Sequence, residues 1–113
     1  MGESNRREMT LFDEWEAADE DRRKAIVVEI AKILTLDDYH HFSDILASSL
    51  KEGTLDVTGW SRAAVKAALV VCSEKNLSVS FKYGDRTVAP VAYPKEGPML
   101  EMFVNAIMTG EWS

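Results

Sequence analysis

Apolar residues recur at helical spacing along most of this chain and alternate strictly in one stretch, so helices with a single β-hairpin are predicted. From Thr10 onward, Leu11, Trp15 and Ala18 fall on one stripe with Phe12 beside it, while Asp13, Glu14 and Glu16 take the other faces. The Thr10 hydroxyl can cap the amide of Asp13, and first-turn acids complement the helix dipole, which predicts a short acidic amphipathic helix starting there. Residues 1–9 are polar and predicted to be disordered. Asp19-Glu20-Asp21 supplies a second start, followed by Ile26, Val27, Ile30, Ile33 and Leu34 at helical spacing; one long helix or two joined near Asp19 both fit.

Thr35-Leu36-Asp37-Asp38 reads as a capping box with Asp in place of Glu, with Leu34 and Tyr39 as its hydrophobic staple. The helix it opens carries Tyr39, Phe42, Ile45, Leu46 and Leu50 on one face, and Gly53 is placed to end it. Leu55 and Val57 alternate with Asp56 as a short extra strand. Thr58 is expected to cap a helix from about Trp60 to about Lys75. Lys66 is the one charged residue between Ala63 and Cys72, which makes this the central, most buried helix.

The β signal is the run from Leu77 to Tyr93. A type II′ turn at Gly84-Asp85 pairs Tyr83 with Arg86, Phe81 with Val88 and Val79 with Pro90, placing Leu77, Val79, Phe81 and Val88 on one face. Proline has no N–H to give, so the ladder should bulge or stop near Ala89. Beyond a loop at Lys95, Glu96 and Gly97, Pro98 suits a first helical turn and Gly110 a C-terminal cap, bracketing Met99, Leu100, Phe103 and Ile107 as a buried stripe. Trp112 trails behind it, and no internal repeat is present. The predicted fold class is α+β: one small domain over 10–113, four to five helices around the 60–75 helix, plus a hairpin at 77–93. A lone hairpin is marginal in water. A helix, the Leu55–Val57 segment or a second subunit pairing at the hairpin edge must complete its sheet.

Composition narrows the class without changing the fold. At 113 residues, with 46% hydrophobic and 28% charged residues, the chain suits one globular core. No apolar run reaches membrane-span length and the first residues carry no signal-like stretch, so a soluble cytoplasmic protein with no membrane association is expected. The single cysteine excludes an internal disulfide or a paired-cysteine metal site. The net charge of −6 is segregated: residues 1–21 hold eight acids and two bases, whereas 60–95 hold six bases and two acids. Residues 10–21 thus read as an acidic arm or a first helix.

Candidate chemistry is sparse. Asp37, His40, His41 and Asp44 are the one cluster of metal-ligand types, but helical spacing brings only pairs together, fewer than zinc needs. Cys72 lies on the apolar helix as a small core residue rather than an exposed nucleophile. No GxSxG serine, phosphate loop or dinucleotide fingerprint occurs. Neither an enzyme nor a cofactor or metal is therefore expected.

Two binding readings remain. The order helix, helix, helix, hairpin from Asp21 to Tyr93 resembles a winged helix, with Arg62 and Lys66 on a recognition helix and Lys82 and Arg86 on the wing as nucleic-acid contacts. Against it stand the almost wholly apolar 60–75 helix, the long turn from Gly53 to Gly59 and the acidic net charge. The favoured reading is a protein-binding module of inhibitor, adaptor or immunity type; phage-encoded antagonists of host enzymes share its compact size and segregated charge. Phe12 and Trp15 would be anchors within the field of Asp13, Glu14, Glu16, Asp19, Glu20 and Asp21, directed at a basic partner surface. The competing view is that Phe12 and Trp15 pack on the protein's own body.

Overall fold

The computed structural model describes residues 3–35, 39–89 and 97–111. The elements run α1 (Glu3–Ala17), α2 (Glu20–Ile33), α3 (Tyr39–Ser49), β1 (Gly53–Asp56), α4 (Arg62–Lys75), β2 (Val79–Tyr83), β3 (Arg86–Val88) and α5 (Gly97–Thr109). The α+β class is thus as read, with five helices and a small sheet among the described residues. The expected box at Thr35–Asp38, the ladder stop at Pro90, most of the 95–97 loop and Trp112 lie wholly or partly outside the described residues.

Helix α1 begins at Glu3, not Thr10, so residues 3–9 are helical where disorder was expected. Their polar sequence carries no periodicity to announce a helix, but nothing in it breaks one. Of the two arrangements open for the N-terminal region, the broken one holds. Asp19 is the N-cap of α2, its carboxylate accepting from the Arg22 amide at 2.9 Å. The inward stripe of α2 is Ile26, Ile30 and Ala31, each with no exposed surface.

Helix α3 buries Phe42, Ile45 and Leu46 as predicted, but it ends at Ser49 rather than being stopped by Gly53. The hydroxyls of Ser48 and Ser49 both donate to the Ile45 carbonyl, a local competition with the helix ladder. Gly53, at φ 126°, instead opens β1. The suspected extra strand is real. β1 lies parallel to β2, with Gly53 opposite Val79 and Leu55 opposite Phe81, so α4 is the crossover of a β-α-β unit. β3 completes the order β1-β2-β3, and its pairs Phe81–Val88, Lys82–Thr87 and Tyr83–Arg86 are those the Gly84-Asp85 turn dictates. Gly84 has φ 61°, whereas Asp85 is not among the residues of positive φ, as a II′ turn requires.

Helix α4 is capped by Ser61, whose Oγ accepts from the Ala64 amide, and not by Thr58. The reason is non-local. The Val57 amide is drawn to the Lys82 carbonyl (2.8 Å), extending β1 past Asp56, and the chain then turns through Gly59 at φ 81°. Trp60 precedes the helix, buried, with its ring edge-on to Phe42 at 5.9 Å. Within α4, Ala64, Val65, Ala67, Ala68, Leu69 and Cys72 have no exposed surface, and α2, α3 and α5 all pack against it. It is the central helix that the sequence predicted. In α5 the buried set is Leu100, Val104, Ala106 and Ile107; Met99, expected in the stripe, is 51% exposed. The inward sector of α5 is centred on Leu100, Val104 and Ile107, which leaves Met99 on its rim.

Candidate functional site

The acidic residues sit on a helical hairpin. α1 and α2 fold back on each other at Ala18-Asp19, and Asp13, Glu14, Glu16, Asp19, Glu20 and Asp21 are all exposed. Glu20 and Asp21 occupy the first turn of α2, where the dipole favours them. Bases meet this group from one side. Arg22 approaches Glu14 at 3.4 Å, both side chains about half exposed. Arg23 donates to the carbonyls of Trp15 (2.9 Å) and Glu16 (3.1 Å), closing the C-terminus of α1, and lies over the Trp15 ring at 4.3 Å.

The two aromatics proposed as partner anchors belong to the body in this state. Phe12 is 5% exposed and stacks on His41 of α3 with ring centroids 4.0 Å apart and planes 13° from parallel. Trp15 is half-buried against the core, and its indole N–H has no acceptor among the described residues. The structure therefore gathers the six carboxylates on the outside of the hairpin and turns Phe12 and Trp15 inward.

Three of the four basic candidates, Arg62, Lys66 and Arg86, are engaged by the protein itself. Arg62 donates to Glu101 at 2.6 Å and to Asn105 at 2.7 Å, and Lys66 pairs with the other Glu101 oxygen at 3.0 Å. These two cations, Arg62 first, hold the Glu101 carboxyl below the usual carboxylate range. Arg86 donates to the carbonyls of Met108 (2.8 Å) and Ile107 (3.4 Å), placing a cation on the C-terminus of α5. Lys82 is exposed and stands opposite Asp56 in the β1–β2 register. The Asp56 carboxyl is held low chiefly by hydrogen bonds from Thr58 and secondarily by Lys82. Glu101 and Asn105 were not singled out from sequence. The signal was present: they are four apart, the two polar residues in the apolar run from Met99 to Met108, and match Arg62 and Lys66, also four apart.

The remaining candidates fall in structural settings. His40 is exposed, edge-on to Tyr39 at 5.5 Å, and His41 is the exposed partner of Phe12. Asp37 lies outside the described residues, among which no group of three or more histidine, cysteine or acidic side chains can hold a metal ion. Cys72 is fully buried, and burial pushes its thiol up to about 11, the opposite of what a nucleophile needs. Among the described residues no helix is long and apolar enough to cross a membrane. No protein-family model, no curated protein and no solved structure matches this chain.

Proposed function

We propose that the chain is a small cytosolic, non-enzymatic protein-binding module of inhibitor, adaptor or immunity type, whose acidic N-terminal hairpin meets a basic surface on a partner protein. The observation that carries this reading is the one-sided charge of the hairpin: six exposed carboxylates between Asp13 and Asp21, with Arg22 paired to one of them and Arg23 folded onto Trp15. A local concentration of one sign of charge raises the on-rate for an oppositely charged partner and selects against acidic ones. The nucleic-acid alternative needs Arg62, Lys66, Lys82 and Arg86 at the service of phosphates. Three of them are bound to Glu101 or the end of α5, and the would-be recognition helix is buried on most of its circumference.

The test keeps the cap and the ion pair and removes the remaining charge, in the fourfold variant Asp13→Asn, Glu16→Gln, Glu20→Gln, Asp21→Asn. Wild type and variant, matched by circular dichroism, are immobilised and exposed to source-cell lysate at low salt, and proteins eluted by a salt gradient are identified. A partner with a basic surface held by wild type and lost by the variant is expected. Equal capture by both, or retention of nucleic acid in place of protein, would overturn the reading.

A further inference from the structure

We propose that α1 is a self-masked ligand: it undocks as a unit while α2 to α5 stay folded, and presents Leu11, Phe12 and Trp15 together with its carboxylates to an apolar, basic-rimmed groove on a partner protein. This rests on the acidic-hairpin reading and adds the state in which the partner is met. The part of α1 from Thr10 to Ala17 carries both halves of a helix-in-groove ligand, with Leu11, Phe12 and Trp15 as large apolar side chains and Asp13, Glu14 and Glu16 as its charges. In the docked state Asp13, Glu14 and Glu16 are outside, while Leu11 and Phe12 are buried and Trp15 is half-buried in the protein's own body, an autoinhibitory contact.

The attachments of α1 differ in kind from those of the other helices. It packs chiefly on α2, and it meets α3 where Phe12 stacks on His41, a ring whose own residue is exposed. Its polar ties to α2 include the exposed Arg22–Glu14 pair and the Arg23 bonds to the last carbonyls of α1, beside the Ala18-Asp19 turn on which the helix would swing. The seat is also imperfect: the buried Trp15 indole N–H lacks an acceptor among the described residues, and undocking returns it to water. By contrast α2 is held to the body by fully buried Ile26, Ile30 and Ala31 and by a backbone bond from the Ser61 amide to the Ala31 carbonyl at 2.8 Å. Asp19, as the cap of α2, stays with α2, so the break falls between the two helices. A terminal helix that packs chiefly on one neighbour opens below the free energy of global unfolding.

Hydrogen exchange of the full chain, read by mass spectrometry, tests this. Amides of α1 should be roughly a hundredfold or more less protected than those of α4. His41→Ala removes an exposed side chain and the stack, and should lower α1 protection a further ~3- to 10-fold with α4 unchanged. An amphipathic leucine/lysine helical peptide serves as the basic apolar probe; because affinity scales with the undocked fraction, His41→Ala should bind it ~3- to 10-fold more tightly than wild type. Equal protection of α1 and α4, or equal peptide affinity of wild type and His41→Ala, overturns the proposal. The fourfold charge variant separates the two readings: peptide binding that survives it contradicts the acidic surface, whereas the exchange pattern judges undocking alone.

Discussion

Arg86 offers the most direct check on how the basic segment is used. Its guanidinium donates to the carbonyls of Met108 and Ile107 at the end of α5, and its aliphatic stem lies so close to the chain that a Cβ added at Gly110 would stand 2.9 Å from Arg86 Cδ. A hydrogen bond from a charged donor is worth about 1.5–3 kcal/mol and a cation at a helix C-terminus about 0.3–1 kcal/mol. Arg86 is exposed, so the low end applies. Arg86→Ala should therefore cost about 1–2 kcal/mol, a fall in Tm of about 5–12 °C for a domain of this size. Arg86→Lys keeps the charge without the planar fork and should recover less than half of the loss. Gly110 sits at φ 81°, so Gly110→Ala carries backbone strain of about 1–2 kcal/mol as well as the clash with Arg86. In the Arg86→Ala/Gly110→Ala double variant the clash disappears but the strain remains, so the two losses should sum to more than the double costs, by at least ~0.5 kcal/mol. Urea and thermal unfolding followed by far-ultraviolet circular dichroism at pH 7 measure wild type and the four variants. A Tm for Arg86→Ala within about 1 °C of wild type, together with strict additivity, would show a free surface guanidinium and refute the assignment.

Other outcomes follow from the same contacts. Glu101→Gln should cost about 0.5–1 kcal/mol at pH 7, discounted because all three partners are substantially exposed. The Glu101 carboxyl is held low in the folded state, so its stabilisation is complete above the unfolded pKa and is lost as pH falls through the folded one; the gap between wild type and variant should close on acidification, and a gap constant down to pH 3 would contradict the pairing. Asp19→Ala should cost about 1 kcal/mol in denaturant unfolding, with Asp19→Asn close to wild type, since an amide oxygen can still accept from the Arg22 amide; equal losses would deny the cap. The Cys72 thiol should resist an aromatic disulfide reagent at pH 8 until the chain is denatured, because it is buried and pushed up to about 11; prompt labelling of the native protein would contradict its core position.

What could be read from the residues was set by local chemistry. The hairpin register followed from a two-residue glycine turn and strict alternation, and β2 and β3 pair as that turn demands. The buried character of α4 followed from its composition, because a helix apolar nearly all round has nowhere to lie but inside. Choices between equivalent local signals were not legible. Thr58 and Ser61 are both competent caps, and Ser61 prevails because the parallel pairing of β1 commits the Val57 amide to Lys82, which lies 25 positions further along the chain. The Thr58 hydroxyl instead accepts from the Gly84 amide at 2.8 Å, tying the hairpin turn to the β1–α4 connection. The site divides in the same way. That residues 10–21 are acidic and amphipathic is a property of the sequence, but whether Phe12 faces a partner or His41 is decided by which neighbour α3 supplies. Arg62 and Lys66 read as free cations until α5 brings Glu101 against both.

The central claim is that the working surface is the acidic hairpin and that the basic residues serve the fold. Titration of a fluorescent 20-base-pair DNA duplex with the full chain, by anisotropy across a salt series, tests it most directly. The account predicts no saturable binding even at about 50 mM salt, because six exposed carboxylates repel phosphates and Arg62, Lys66 and Arg86 are already engaged. Binding that saturates at low salt, weakens steeply as salt rises and is lost in Arg62→Ala/Lys66→Ala would contradict it and place the function on the 60–95 surface.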